Sequence, residues 1–221
     1  MFYTLIDDQA EFVVVHKFPG VVVQGERDGE TLLNFVREGM GLAELYPVHR
    51  LDKETSGVVV FAKTKAANQA LSQAFADKKV KKIYLALSDR KPIKKQGLIR
   101  GDMVKARGGS YRLTRSLENP AETRFNSCSL APSQRLFILT PFSGKTHQLR
   151  VALKSLSAPI IGDKRYGGTG ADRMYLHAYA LSFPVNGVSY SYQALPATGI
   201  LFDCAALEPL LKRNSLFSEI N

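Results

Sequence analysis

The chain has 221 residues, 45% hydrophobic and 23% charged, a composition that excludes a disordered chain and suits a globular domain. No run of about 18 apolar residues occurs, which argues against a membrane-spanning helix. The formal charge is +10, which favours a polyanionic partner over an acidic or neutral one.

The N-terminus, MFYTLIDDQAE, has early acids and no basic stretch, unlike a secretory leader. Cys128 and Cys204 are too few for a disulfide framework and form no Cys-x-x-Cys pair. A reduced, cytoplasmic setting follows as the expectation.

Phe2–Ile6 and Phe12–His16 read as strands, followed by a Pro19-Gly20 turn and a third strand at Val21–Val23. Thr31–Glu38 places Leu32, Phe35 and Val36 at helical spacing, ending at Gly39. Pro47–Asp52 is short and irregular. The apolar run Gly57–Ala62 predicts a buried strand, and Ala66–Ala76 a helix. Lys82–Ser88 reads as a further strand.

Residues 90–115 hold four glycines and little periodicity, which predicts an exposed hairpin or loop. Strands are expected near Thr123–Leu130 and Leu136–Thr140, and a helix over Thr146–Leu156. Two more strands, Leu176–Phe183 and Val188–Tyr192, precede a closing helix at Ala205–Leu211, where Pro209 removes one backbone bond. Strands with short connections and no regular βαβ alternation predict an α+β fold with a mixed, largely antiparallel sheet and flanking helices. No composition shift marks a linker, so a single domain spanning 1–221 is expected.

The charge is uneven. Nine basic residues fall between Arg90 and Arg115 against one acid, Asp102, which puts +8 of the +10 in one stretch. Such a zone suits binding to phosphates, which releases condensed counterions.

Three polar positions could carry chemistry. Asp52 lies in a polar turn feeding the 57–62 strand; by residue type alone it either caps that turn or does chemistry there. Tyr84 lies within a strand, where packing is the ordinary role. The segment 143–150, Ser-Gly-Lys-Thr-His-Gln-Leu-Arg, opens a helix with Lys145, His147, Gln148 and Arg150. It is no P-loop, because position 139 is Leu where that motif needs Gly. The four histidines have no metal-ligand spacing, and no GxSxG elbow occurs. No metal or cofactor is expected.

Together these segments resemble the RluA type of RNA pseudouridine synthase. HRLDKETSG at 49–57 is similar to that family's central signature, His-Arg-Leu-Asp-x-x-Thr-Ser-Gly. KKIYLAL at 81–87, GKTHQLRVAL at 144–153, PIIGDKRYGG at 159–168 and LHAYALSFP at 176–184 resemble later blocks, and VVVHKFPGVVVQ at 13–24 the opening one. His16 stands where the opening block usually has Asn, Phe18 is an extra residue, and Gln24 and Ala152 replace usual histidines.

The resemblance implies a pseudouridine synthase-like fold with a central RNA-binding cleft. It implies Asp52 as the catalytic aspartate, Tyr84 packed against the target base, and Arg150 paired with the aspartate. Arg50 would enter the RNA where the base leaves. The expected RNA contacts also include Lys145, His147, Gln148, Arg107, Arg112 and Arg115. Family members often carry a small N-terminal S4 domain; this chain begins with the catalytic block, so none is expected. The implied partner is ribosomal or transfer RNA, bound by a monomer.

The reaction breaks uracil N1 from ribose C1′ and rejoins the base through C5, with no net oxidation or hydrolysis. A carboxylate beside C1′ can stabilise the cationic sugar, attack it, or take the 2′ proton. Two other readings compete: a non-catalytic RNA-binding protein of the same fold, and a nucleic-acid glycosylase.

Overall fold

A computed structural model describes residues 1–25, 29–202 and 204–212. In chain order the first elements are β1 (Tyr3–Asp8), β2 (Phe12–Lys17), α1 (Leu32–Gly39), β3 (Tyr46–Pro47), β4 (Ser56–Ala62) and α2 (Lys65–Ala76). Then come β5 (Lys81–Ser88), β6 (Gln96–Gly101), β7 (Met103–Lys105), β8 (Tyr111–Leu113), β9 (Ala121–Ala131) and β10 (Gln134–Pro141). The last are α3 (Gln148–Ser155), β11 (Leu176–Val185), β12 (Val188–Gln193) and α4 (Cys204–Lys212). The described residues fall into two compact units, and the chain passes from one to the other within β5 and again within β11.

The first unit comprises Met1–Lys82 and Ala178–Thr198. Every residue of β2 and of β4 is buried, as their apolar runs predict for strands covered on both faces. They pair antiparallel, with Val14 opposite Val60, and β1 continues the sheet on the far side of β2. Helix α2 packs Ala67, Leu71 and Ala74 into a cluster with Phe12, Val14, Val58, Val60, Leu181 and Phe183. Its first turn is capped by Thr64, whose hydroxyl accepts from the Ala67 amide at 3.1 Å. β11 and β12 form a hairpin whose Asn186-Gly187 corner has φ of 49° and 80°, the left-handed pair that a two-residue hairpin turn needs.

The second unit comprises Ile83–His177 and the described residues from Gly199 onward. Its sheet runs β5-β10-β9-β6, each pair antiparallel. At its start β9 alternates buried and more exposed residues, as a sheet covered on one face should. β7 and β8 make a separate two-stranded sheet.

The structure differs from the sequence expectations at three places. Val21–Val23 forms no strand; the Val22 and Val23 carbonyls accept from the Leu32 and Leu33 amides, so the segment supplies partners to the first turn of α1. Helix α3 begins at Gln148 rather than Thr146, because His147 takes a left-handed φ of 58°. The 90–115 segment forms the expected hairpin as β7–β8, and beyond it supplies β6 to the sheet edge beside β9. The closing helix does form, with Pro209 inside it.

Candidate active site

The turn that carries Asp52 is held from both sides within the first unit. Leu51 is buried, and the Asp52 carbonyl accepts from the Thr55 amide at 3.0 Å, which closes the turn over exposed Lys53 and Glu54. Asp52 itself is partly exposed. Lys17, the last residue of β2, has no exposed surface. Its ammonium donates to the carbonyls of Phe18 at 3.0 Å, Lys53 at 2.8 Å and Thr55 at 2.8 Å. Three acceptors suit the three protons of a buried ammonium, which would otherwise be costly to keep charged. The Lys53 carbonyl also accepts from the Gly20 amide at 2.9 Å.

Gly57 continues the turn into β4 at φ +123°. A Cβ there would stand 2.1 Å from the Ala178 carbonyl oxygen, so no other residue fits.

On the N-terminal side, His49 accepts the Val60 amide at Nε2, 3.1 Å away, and stacks on Phe75 with centroids 4.8 Å apart. Burial of the imidazole, and secondarily the positive charge of Lys82, lowers its pKa to about 3. His49 is therefore neutral near pH 7 and anchors the chain three residues before Asp52. Arg50, between these anchors, is exposed.

In the second unit Tyr84 lies on β5 opposite Leu139 of β10. It is partly exposed between buried Ile83 and Leu85, as alternation along a strand requires.

The start of α3 is a polar network. Gln148 is buried, and its carboxamide makes four internal bonds. Oε1 accepts from Ser143 Oγ at 2.7 Å and the Lys145 amide at 3.0 Å; Nε2 donates to the Glu122 carbonyl and Thr123 Oγ1, both at 3.0 Å. The side chain expected on RNA instead orders the turn that presents its neighbours. Lys145 is partly exposed and donates to the Asn119 carbonyl. His147 is partly exposed, with Nδ1 2.9 Å from the Tyr166 hydroxyl.

Arg150, in the first turn of α3, directs Nε and Nη2 at the two oxygens of Asp163, at 2.7 and 2.8 Å. The Asp163 side chain has no exposed surface. This two-point contact fixes the plane of the guanidinium, which a single contact would leave free to turn. Arg150 also lies over the Tyr166 ring, 5.0 Å from its centroid.

The basic segment presents Lys105, Arg107, Arg112 and Arg115 to solvent. Its single acid serves structure: the Asp102 carboxylate accepts from the Glu118 and Asn119 amides at 3.1 and 2.9 Å. Arg100 is drawn to Glu122 at 2.5 Å.

Lys17, Asp163 and Tyr166 were not singled out from the sequence. A lysine ending a strand that opens on the apolar run Phe12–Val15, and an acid directly after the run Pro159–Gly162, are the signals that could have found the first two. Among the described residues no group of three or more His, Cys, Asp or Glu is placed to hold a metal ion, and no helix is long and apolar enough to cross a membrane.

The family described as RNA pseudouridylate synthase matches residues 11–155, which contain Asp52, Tyr84 and Arg150. This chain belongs to the RNA pseudouridylate synthase family. An uncharacterized RNA pseudouridine synthase of Haemophilus influenzae is 44% identical over 197 residues, 88% of each chain. Ribosomal large subunit pseudouridine synthase C of Rickettsia felis is 33% identical over 184 residues, 79% of this chain and 60% of its own length. The solved structure of human RNA pseudouridylate synthase domain containing 1 matches at a TM-score of 0.74 and 23% identity, covering 96% of this chain and 95% of the other, and shows the same fold. The chain is thus an α+β pseudouridine synthase, an isomerase that acts on RNA, as HRLDKETSG and its companion blocks predict.

Proposed function

We propose that the chain converts particular uridines of structured ribosomal or transfer RNA to pseudouridine, with Asp52 acting at ribose C1′ or C2′. The observation that carries this reading is the construction around Asp52. A partly exposed carboxylate sits on a turn whose carbonyls are held by the buried Lys17 ammonium. A rigid turn bearing a partly exposed carboxylate suits a reaction that needs a carboxylate beside a sugar carbon.

In this reading Tyr84 supports the detached uracil with its ring, and base stacking of that kind is worth about 1–3 kcal/mol. Arg150, its plane set by Asp163, is the third catalytic residue of this reading. The base leaves the RNA stack, and Arg50 takes its place. Lys145, His147, Arg107, Arg112 and Arg115 contact the RNA, with Gln148 supporting the first two. The N1–C1′ bond breaks and C5–C1′ forms; C5 loses its proton and N1 gains one, so no cofactor is consumed. We place the reaction in the cytoplasm, carried out by a monomer. A large-subunit ribosomal substrate is favoured by the name of the Rickettsia relative.

The test uses unmodified ribosomal and transfer RNA tritiated at uracil C5. The protein should release tritium with the base retained on the chain. Asp52→Asn should release none while still binding RNA. Release of free uracil would instead identify a glycosylase, and RNA binding with neither product a non-catalytic protein.

A further inference from the structure

Tyr166 ties together three parts of the second unit that lie far apart in sequence. Its amide donates to the Asp163 carbonyl at 3.2 Å and faces Asp163 Oδ1 at 3.3 Å. Its hydroxyl accepts from the Tyr111 amide at 3.0 Å and lies 2.9 Å from Nδ1 of His147. The Tyr111 amide can only donate to the hydroxyl, and the hydroxyl and Nδ1 share one further hydrogen bond whose direction follows the imidazole tautomer. The ring lies beneath the Arg150 guanidinium, which in turn holds Asp163. Tyr166 is only 5% exposed, so these bonds form with little competition from water.

The Tyr111 end of this linkage belongs to the β7–β8 hairpin. That hairpin is a two-stranded sheet of its own, and two strands alone are marginally stable in water. Its orientation therefore depends on what it is fastened to. Tyr166 fastens it through the Tyr111 amide. Arg165 adds a second strap by donating to the Gly108 carbonyl. The Tyr111 ring also stands edge-on to His147, with centroids 5.8 Å apart. Between the straps the hairpin exposes Lys105, Arg107 and Arg112. The phenol thus has basic, solvent-facing residues on one side and the Arg150–Asp163 pair on the other.

We infer that Tyr166 is a positioning residue that couples RNA seated on the β7–β8 hairpin to the setting of His147 and Arg150. This rests on the proposed function, in which the hairpin holds RNA and Arg150 is a catalytic residue. The hydroxyl transmits the position of the hairpin, and the ring supports the guanidinium. Phosphates drawn to Arg107 and Arg112 hold the hairpin in place, and the hairpin holds His147 through the phenol. Tyr166 need not touch the RNA.

Tyr166→Phe separates the two roles, since it keeps the ring and removes the hydroxyl. It leaves the Tyr111 amide and His147 Nδ1 without their shared partner. With ribosomal or transfer RNA tritiated at uracil C5, KM should rise about three- to tenfold, the scale of one hydrogen bond, while kcat changes less than about twofold. In an Arg107→Ala/Arg112→Ala background the same substitution should raise KM less than about twofold, because the hairpin no longer holds RNA to be positioned. A purely structural loss would carry into both backgrounds equally.

Hydrogen exchange on the free protein gives a second reading. In Tyr166→Phe the amides of 107–113 should exchange faster, while those of 149–153 should not. Equal KM effects in the two backgrounds, a loss confined to kcat, or unchanged exchange over 107–113 would overturn the inference. If the unmodified protein releases no tritium from either RNA, the proposed function falls, and the exchange measurement alone decides whether Tyr166 fastens the hairpin.

Discussion

The Lys17 ammonium lies 2.8 Å from the Thr55 carbonyl oxygen and has the Lys53 and Phe18 carbonyls as its other acceptors. It reaches the Asp52 turn from the end of β2, the strand that pairs with β4. Both the turn and the strand it feeds therefore take their position from the same neighbouring strand. Lys17→Met keeps the length of the side chain and removes the charge and the donors. Carbonyls of Phe18 and Thr55 then lose this donor in a dry site. The variant should lose about 2–4 kcal/mol of stability, the cost of breaking several bonds to a charged group. Urea unfolding checks the loss, and initial rates should show kcat falling more than KM rises. A Met variant as stable and as fast as the parent would refute the role.

Asp163 and Arg150 present the opposite balance, since both partners carry charge and each is the other's two-point partner. Asp163→Asn keeps the shape and leaves a guanidinium, 11% exposed, without its carboxylate. Removing one partner of such a pair costs about 3–5 kcal/mol. Arg150→Lys keeps the charge and loses the two-point contact, so activity should drop at least about tenfold even where the fold survives. Circular dichroism on both variants, with tritium release on the lysine variant, separates the two effects. Normal turnover by Arg150→Lys would show that orientation of the guanidinium does not matter.

His49 links stability to pH. Its imidazole titrates at about 3 in the folded chain against an ordinary 6.5, chiefly because burial disfavours the cation and also because Lys82 is nearby. Between these values the unfolded chain binds a proton that the folded chain refuses. The stability contributed is complete above about 6.5 and falls as pH drops toward 3, by up to about 1.4 kcal/mol per pH unit. Asp7, Asp77, Asp102 and Asp172 are held below the usual carboxylate range and also lose stability in acid. They are common to parent and variant. His49→Gln retains an acceptor for the Val60 amide and removes the titration. Its urea midpoint should decline less between pH 7 and pH 4 than the parent's, and parallel curves would exclude His49 as a source.

The parts of this fold that were legible in the sequence are those where one local rule decides the outcome. β2 opens on the apolar run Phe12–Val15 and β4 carries Gly57–Ala62, short runs that suit strands buried on both faces. α2 has both its apolar spacing and a Thr64 cap. Val21–Val23 has equal apolar character, yet its carbonyls go to the first turn of α1, a partner that periodicity does not reveal. In the 90–115 segment the hairpin was legible but β6 was not, because exposed basic residues obscure its alternation and its pairing depends on β9, further along the chain. In the candidate site, HRLDKETSG marked Asp52 directly. Lys17 and Asp163 act through carbonyls and a guanidinium placed by the tertiary fold, which residue type alone does not announce. Gln148 looked like a contact residue because amide side chains serve both surfaces and interiors. Its four internal partners come from two separate stretches of chain, 122–123 and 143–145.

Exposure and pairing decide which positive charges can meet RNA. Arg107, Arg112 and Arg115 are exposed, and each phosphate they neutralise releases counterions on binding. Arg100 belongs to the same stretch of sequence but is engaged by Glu122 at 2.5 Å, so its charge is already partly answered within the protein. Replacing the three exposed arginines with alanine should weaken RNA binding and reduce the slope of log affinity against log salt by about 2–3, on the order of 0.7–0.9 per contact. Arg100→Ala should change that slope by much less, since the pair it breaks gains little from RNA. Titrations of labelled RNA between about 50 and about 200 mM salt resolve a difference of this size. An unchanged slope in the triple variant would remove the 107–115 region from the RNA interface, and a large change in Arg100→Ala would mean that Glu122 yields its partner when RNA binds.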